Sequence, residues 1–235
     1  MTNAIFITGI GTDVGKTVVA AILAEALEAD YWKPVQAGFQ DGTDAQFVQS
    51  VLSNKTSVVH PETYKLRLAA SPHIAARQEG IKIDLDKIRD DFNKIVNEKT
   101  SNVKGETSNL KLQTSNFKPQ TSNLIIEGAG GLMVPLNDEE FVADLIRKLG
   151  AKVILVSRNY LGSINHSLWT AAVCKQDNLD VFGWVFNDQY LNYENEIVQW
   201  SRYPAIASIP STNKIDSLFI KTQASIIKNS LASFL

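Results

Sequence analysis

One stretch near the amino end constrains this chain more than any other: Gly9-Ile10-Gly11-Thr12-Asp13-Val14-Gly15-Lys16-Thr17. It lies between the apolar run Ala4–Thr8 and a segment from Val18 to Leu27 rich in Ala, Leu and Ile. An unbroken apolar run that stops at glycine suits a strand buried on both faces, and the segment after the loop suits a buried helix. Glycines let a backbone turn its N–H groups inward around phosphate oxygens, and the helix beginning there presents its positive end to them. Lys16 is then placed to neutralise β- and γ-phosphates, and the Thr17 hydroxyl to ligate magnesium. The spacing departs from G-x-x-x-x-G-K-[ST]: five residues separate Gly9 from Gly15, and Ile10 stands where the pattern has glycine. The same glycines nearly fit a dinucleotide fingerprint. Lys16-Thr17 has no role in that motif, however, and the second strand carries Lys33 where a ribose-binding acid belongs.

The rest of the chain alternates strand and helix patterns. Strands are predicted at Tyr31–Gln36 (interrupted near Pro34), Leu124–Glu127, Lys152–Val156, Val181–Phe186 and Ala205–Ile209. Helices are predicted to start at Thr43-Asp44 and Ser71-Pro72 and to run from Asp84 to about Val96. Others should cover Glu139–Leu149, Ile164–Gln176, Tyr193–Tyr203 and a carboxy-terminal segment ending near Phe234. This order implies an α/β fold of the P-loop NTPase type, a mostly parallel sheet flanked by helices on both faces, with ligands at the carboxyl ends of the strands. Residues 1–235 are expected to form a single ATP-binding domain with a low-complexity loop insertion at about 98–123. There TSN recurs at 100, 107, 114 and 121, with too few apolar positions for a coiled-coil seam. A polar repeat of this kind is expected to be an exposed loop without function.

Composition removes several function classes. Lys and Arg number 23 against 25 Asp and Glu, a net charge of −2, so the basic footprint of a nucleic-acid binder is missing. Cys174 is the sole cysteine, which allows no internal disulfide and fits a reducing cytoplasm. No apolar stretch reaches the ~18 residues of a membrane span, and Met1–Thr8 is too short for a signal peptide. The expected address is the cytosol.

Three further residues have chemistry beside a phosphate loop. Glu127 ends an apolar strand and precedes Gly128-Ala129-Gly130-Gly131, a position better suited to a hard oxygen ligand for Mg²⁺ than to core packing. Asp44 could complete the same shell or simply cap a helix. Lys33, in Trp32-Lys33-Pro34-Val35, could bring a second cation to a transferring phosphate.

Taken together, the sequence resembles the dethiobiotin synthetase family. The resemblance rests on GIGTDVGKT at 9–17, WKPVQAG at 32–38, TDA at 43–45, SPHIAA at 71–76, EGAGGLMVPL at 127–136, LGSINH at 161–166, GWVFND at 183–188 and IP at 209–210. It runs in order over nearly the whole chain apart from the TSN insertion, and the five-residue glycine spacing is itself the family's pattern. The resemblance implies an ATP- and Mg²⁺-dependent cyclo-ligase acting on 7,8-diaminononanoate and CO₂, built as a homodimer with the site shared across the interface. It implies catalytic roles for Lys16, Lys33 and Thr12, and magnesium on Thr17, Asp44 and Glu127. The nucleotide would be held by Gly11, Thr12, Asp13, Val14, Gly15, Lys16, Thr17 and Val18, by Glu127, Gly128, Gly130 and Gly131, and by Asn187, Pro210 and Ser211 around the adenine. The diamine would meet Thr12, Lys16, Lys33, Ala37 and Gly130, and its carboxylate Leu161, Gly162 and Asn165 of the other subunit. Ala37 is a departure, since the family commonly has a small hydroxyl residue there. His60, His73 and His166 receive no role. Partition and positioning switch ATPases share the fold type, but they typically carry an early lysine in the loop, and positions 10–14 have none. A cobyrinate-type synthetase would need a glutaminase domain for which the chain has no room. A binding-only homologue is opposed by the intact Lys16, Thr17, Lys33, Asp44 and Glu127.

Overall fold

The computed structural model describes residues 3–107 and 123–231, with side chains left out at 98–107. The first half holds β1 (Asn3–Gly9), α1 (Lys16–Leu27), β2 (Asp30–Trp32), β3 (Val35–Ala37), α2 (Asp44–Val51), β4 (Val59–His60), β5 (Tyr64–Leu66), α3 (Pro72–Gln78) and α4 (Leu85–Thr107). The second half holds β6 (Asn123–Gly131), α5 (Val142–Leu149), β7 (Lys152–Arg158), α6 (Ser163–Gln176), β8 (Val181–Asn187), α7 (Tyr193–Ser201), β9 (Ala205–Ile209) and α8 (Ser217–Leu231).

Seven strands form one sheet in the order β4-β2-β6-β1-β7-β8-β9, and every pairing in it is parallel. Parallel strands need crossover helices, which cover both faces, and successive side chains divide accordingly. Ile5, Ile7, Ile125, Ile154, Val156 and Val185 pack under α1, α2 and α8. Phe6, Trp32, Leu124, Ile126, Val153, Leu155, Trp184 and Phe186 pack on the opposite face with residues of α3 to α7. Val19 to Ala24 of α1 are fully buried, because that helix is sandwiched between the sheet and α8. From β1 the chain goes one way to β2 and later returns the other way to β7. The crevice above β1 is therefore a topological switch point, where such sheets bind ligands.

Two expectations need correction. The strand foreseen at Tyr31–Gln36 is two strands: β2 belongs to the large sheet, while β3 pairs with β5 in a separate two-stranded sheet. Pro34 has no N–H to continue a ladder, and its carbonyl instead accepts from Tyr64 N at 2.9 Å. The loop foreseen from residue 98 begins as helix, since α4 continues through Thr107. Extending an existing helix fixes one residue per hydrogen bond and avoids the nucleation cost, so a polar segment can follow without an apolar face. The remaining insertion, 108–122, and the helix end near Phe234 lie outside the described residues. The short β4 and β5 had no periodicity to announce them.

Cys174 is fully buried, and burial pushes its thiol up to about 12. Among the described residues no helix is long and apolar enough to cross a membrane.

Candidate functional site

The chain segments leaving β1 and β2 converge with the body of β6. The phosphate loop follows Gly9, Lys33 follows Trp32 directly, and Glu127 stands opposite Ile7 in the β1–β6 register. Gly15 closes the loop at φ +89°, and a Cβ there would lie 2.5 Å from Asn187 Nδ2, so both conformation and space demand glycine. Gly128 is required for space alone, since its Cβ would stand 2.6 Å from the Phe6 ring. Lys16 opens α1 and folds back to donate from Nζ to the Gly11 carbonyl at 2.7 Å. Burial lowers its pKa to about 8 against the opposing pull of Glu127.

Thr17 Oγ1 lies 3.0 Å from Asp44 Oδ1 and 2.9 Å from Glu127 Oε1. Its single proton serves only one of these at a time. Lys33 Nζ donates to Asp44 Oδ2 and, at 2.9 Å, to Glu127 Oε1. Burial works against the Lys33 charge, but Glu127 and Asp44 outweigh it and hold the ammonium above its ordinary value. Burial would likewise raise Asp44, yet Lys33 and Thr17 reverse this and keep the carboxyl below its usual range. Asp44 also opens α2 behind a capping box, with Thr43 Oγ1 accepting from Gln46 N at 3.1 Å and Gln46 Oε1 accepting from Thr43 N at 2.9 Å. Thr43 supplies the cap, which leaves the Asp44 carboxylate to the site.

No group of three or more His, Cys, Asp or Glu side chains among the described residues is placed to hold a metal. Two carboxylates and a hydroxyl do fit Mg²⁺, which keeps several waters and takes few protein oxygens beside substrate phosphates. The Lys33 ammonium already bridges the two carboxylates as a cation would.

Lys16, Thr17, Lys33, Asp44 and Glu127 line one cavity of about 790 Å³ together with Thr12, Asp13, Gly15, Val18, Ala37 and Gly130. A second cavity, about 260 Å³, flanks the loop and is lined by Asp13, Val14, Gly15, Val18, Asn187, Pro210 and Ser211. Gly11 borders a third, about 610 Å³, with Arg158, Asn159, Tyr160 and His166. Gly128 and Gly131 line none of the three but let β6 pass tightly against Phe6 and the Gly9 carbonyl. Leu161, Gly162 and Asn165 are exposed at the start of α6 and border none of these cavities either. The three histidines are engaged elsewhere: His60 with Asp30 at 2.9 Å, His73 with Ser71 at 3.1 Å and His166 with Tyr160 at 2.6 Å.

Sequence reasoning missed two groups here. Tyr31 donates to Glu127 Oε2 at 2.7 Å, and burial, then Glu127, pushes its phenol well up. Gln36 accepts from Asp44 N at 3.3 Å and donates to Gly38 O at 2.8 Å. Both lie in or beside strands, where a polar side chain is visible but its cross-strand partner is not.

Residues 3–217 match a family model described as an AAA domain. The chain is 45% identical to the ATP-dependent dethiobiotin synthetase BioD of Cytophaga hutchinsonii over 212 residues, 89% of each chain. It is 40% identical to that of Christiangramia forsetii over 225 residues, 95% of each. Among solved structures it superposes on a MinC:MinD cell division complex of Aquifex aeolicus with TM-score 0.57 and 13% identity, covering 99% of this chain and 95% of that one. For the cell division ATPase MinD of Pyrococcus furiosus the values are 0.55 and 13%, with both chains fully covered. Those two show the P-loop ATPase fold, and the sequence relatives go further: the chain belongs to the ATP-dependent dethiobiotin synthetase family.

Proposed function

We infer that the cavity around Lys16, Lys33 and Glu127 is where this chain forms dethiobiotin from 7,8-diaminononanoate, CO₂ and ATP. One observation carries the assignment of residues. Two buried ammonium groups, two carboxylates and a hydroxyl meet at the start of α1 in one cavity. Phosphoryl transfer needs positioning and charge neutralisation, not a covalent protein group.

One substrate amine attacks CO₂ and loses a proton, giving a carbamate. A carbamate oxygen attacks the γ-phosphorus, the bond to the ADP oxygen breaks, and a carbamic-phosphoric anhydride results. The second amine attacks its carbonyl carbon, loses a proton and expels phosphate, closing the ring. Lys16 and Lys33 neutralise the oxygens that gain charge, and Thr12 orients the carbamate. Magnesium, when held by Thr17, Asp44 and Glu127, supplies further charge neutralisation at the phosphates. Asn187, Pro210 and Ser211 enclose the adenine beside the loop. The exposure of Leu161, Gly162 and Asn165, outside the chain's own cavities, supports a homodimer in which they reach the substrate carboxylate in the neighbouring site. The reading takes the chain as one cytoplasmic catalytic unit.

The test is phosphate release from Mg·ATP with and without 7,8-diaminononanoate and bicarbonate. Release that depends on the diamine and yields dethiobiotin is expected. Release indifferent to the diamine would mean a switch ATPase instead.

Ala37 lines the large cavity with no polar atom in its side chain. Ala37→Ser restores a hydroxyl worth about 0.5–1.5 kcal/mol as a neutral hydrogen bond. Diamine KM should fall about 2- to 10-fold with kcat nearly unchanged. An unchanged KM in steady-state kinetics would show that the hydroxyl has no partner in the bound substrate.

A further inference from the structure

On the base side of the phosphate loop an ion pair stands apart from the ring-closing chemistry. Arg158 Nε donates to Asp188 Oδ2 at 2.6 Å. Arg158 ends β7 in register with Asn187, which ends β8, and Asp188 follows in a left-handed conformation, φ +59°. The turn is tied down twice: Asn159 N donates to the Asn187 carbonyl at 2.9 Å, and Asn159 Nδ2 donates to the Asp188 carbonyl at 3.0 Å. With its backbone pinned, Asp188 has only its side-chain direction to vary, and Arg158, itself half exposed, is the group that engages it.

Both charged side chains line the 260 Å³ cavity with Asn187, Pro210 and Ser211. Arg158 also borders the 610 Å³ cavity beside Gly11 and Thr12, but it does not line the cavity that holds Lys16, Lys33 and Glu127. Asn187 Nδ2 donates to the Val14 carbonyl at 2.6 Å, which orients the amide and leaves Oδ1 as an acceptor. An acceptor matches the exocyclic amino group of adenine and opposes the O6 of guanine. A free carboxylate beside it would have the reverse preference. Guanine carries N–H donors at N1 and N2 that a carboxylate can accept together, whereas adenine has none at those positions.

Resting on the nucleotide site proposed above, we propose that Arg158 is a base-specificity residue. By holding Asp188 Oδ2 it denies guanine the pair of carboxylate oxygens that N1–H and N2–H would need together, and keeps the site selective for ATP over GTP. Arg158 acts through Asp188 and needs no contact with the reacting atoms.

The experiment measures dissociation constants for fluorescent ATP and GTP analogues, and kcat/KM with ATP and with GTP, on the full chain. Arg158→Gln should raise the GTP:ATP preference about 10-fold or more, the scale of a bidentate base contact. Asp188→Asn should keep the wild-type ratio, and the double variant should return to it. Arg158→Ala repeats the test without a new polar group, and thermal melts establish first that each variant is folded. A ratio unchanged in both Arg158 variants overturns the proposal, as does a raised ratio that persists when Asp188 is also replaced. A loss of affinity for both nucleotides in Asp188→Asn, at constant ratio, would instead make Asp188 a ribose ligand and also overturn it. The binding arm needs no diamine. A wild-type protein that makes no dethiobiotin therefore sinks the assigned reaction while leaving this test intact.

Discussion

Lys16→Ala should lower dethiobiotin turnover by about 10²–10³-fold, the usual loss when one preorganised charge-stabilising group is removed from a transition state. Lys16 is buried at the start of α1 and folded across the loop onto the Gly11 carbonyl. Its ammonium is thus held within the loop rather than in solvent. The proposed adenine contacts, Asn187, Pro210 and Ser211, are untouched by the substitution, so nucleotide binding should weaken less than turnover falls. Single-turnover phosphate release against nucleotide affinity separates the two. A loss confined to affinity would mean that Lys16 only binds. Because burial brings Lys16 to about 8 in the free protein, the sign of the pH effect is also set. Below that pH the lysine is charged and attracts phosphate. As pH rises through it, nucleotide affinity should fall, and bound phosphate should shift the midpoint upward by stabilising the charged form.

Lys33→Met should damage stability as well as turnover. Glu127 is almost wholly buried, and among the described residues Lys33 is the one cation in ion-pair contact with it, Lys16 acting only at longer range. Tyr31 and Thr17 still face it but carry no charge. Removing one member of a buried pair costs about 3 kcal/mol or more, and in a chain of this size about 6–12 °C in melting midpoint. Two controls separate charge from packing. Lys33→Met with Glu127→Gln removes the stranded charge and should recover most of the loss. Magnesium should raise the midpoint of Lys33→Met more than that of wild type, because Asp44 and Glu127 are then free of the competing ammonium. Equal magnesium shifts in melts with metal and with chelator would show that Lys33 does not compete with magnesium for the Asp44 and Glu127 oxygens.

Much of this site was legible because its signals are local. A glycine loop followed by Lys16-Thr17 after an apolar run can be read from backbone freedom and helix-terminus electrostatics alone. The runs that became β1, β6, β7 and β8 were readable because strands buried on both faces must be continuously apolar, while the edge strand β9 is only half buried. Where a segment's state depended on a partner, the reading failed. Pro34 signalled an interruption, but only the pairing of Val35–Ala37 with Tyr64–Leu66 turned it into a change of sheet. The continuation of α4 through Thr107 depended on the helix preceding it, not on the polar repeat itself.

The sequence by itself determined the phosphate loop, the α/β alternation and the identity of Lys33, Asp44 and Glu127 as candidates. Each remained ambiguous, with Asp44 readable as a cap and Glu127 as a strand end. Only the tertiary structure decided that Lys33 meets Asp44 and Glu127 at once, and that Thr17 lies against the same two carboxylates. It also decided that Tyr31 braces Glu127 and that Arg158 engages Asp188. The reason is strand order. Placing β6 between β2 and β1 brings residues 94 apart in the chain into hydrogen-bond contact. That order comes from long-range parallel pairing, which leaves no period in the sequence.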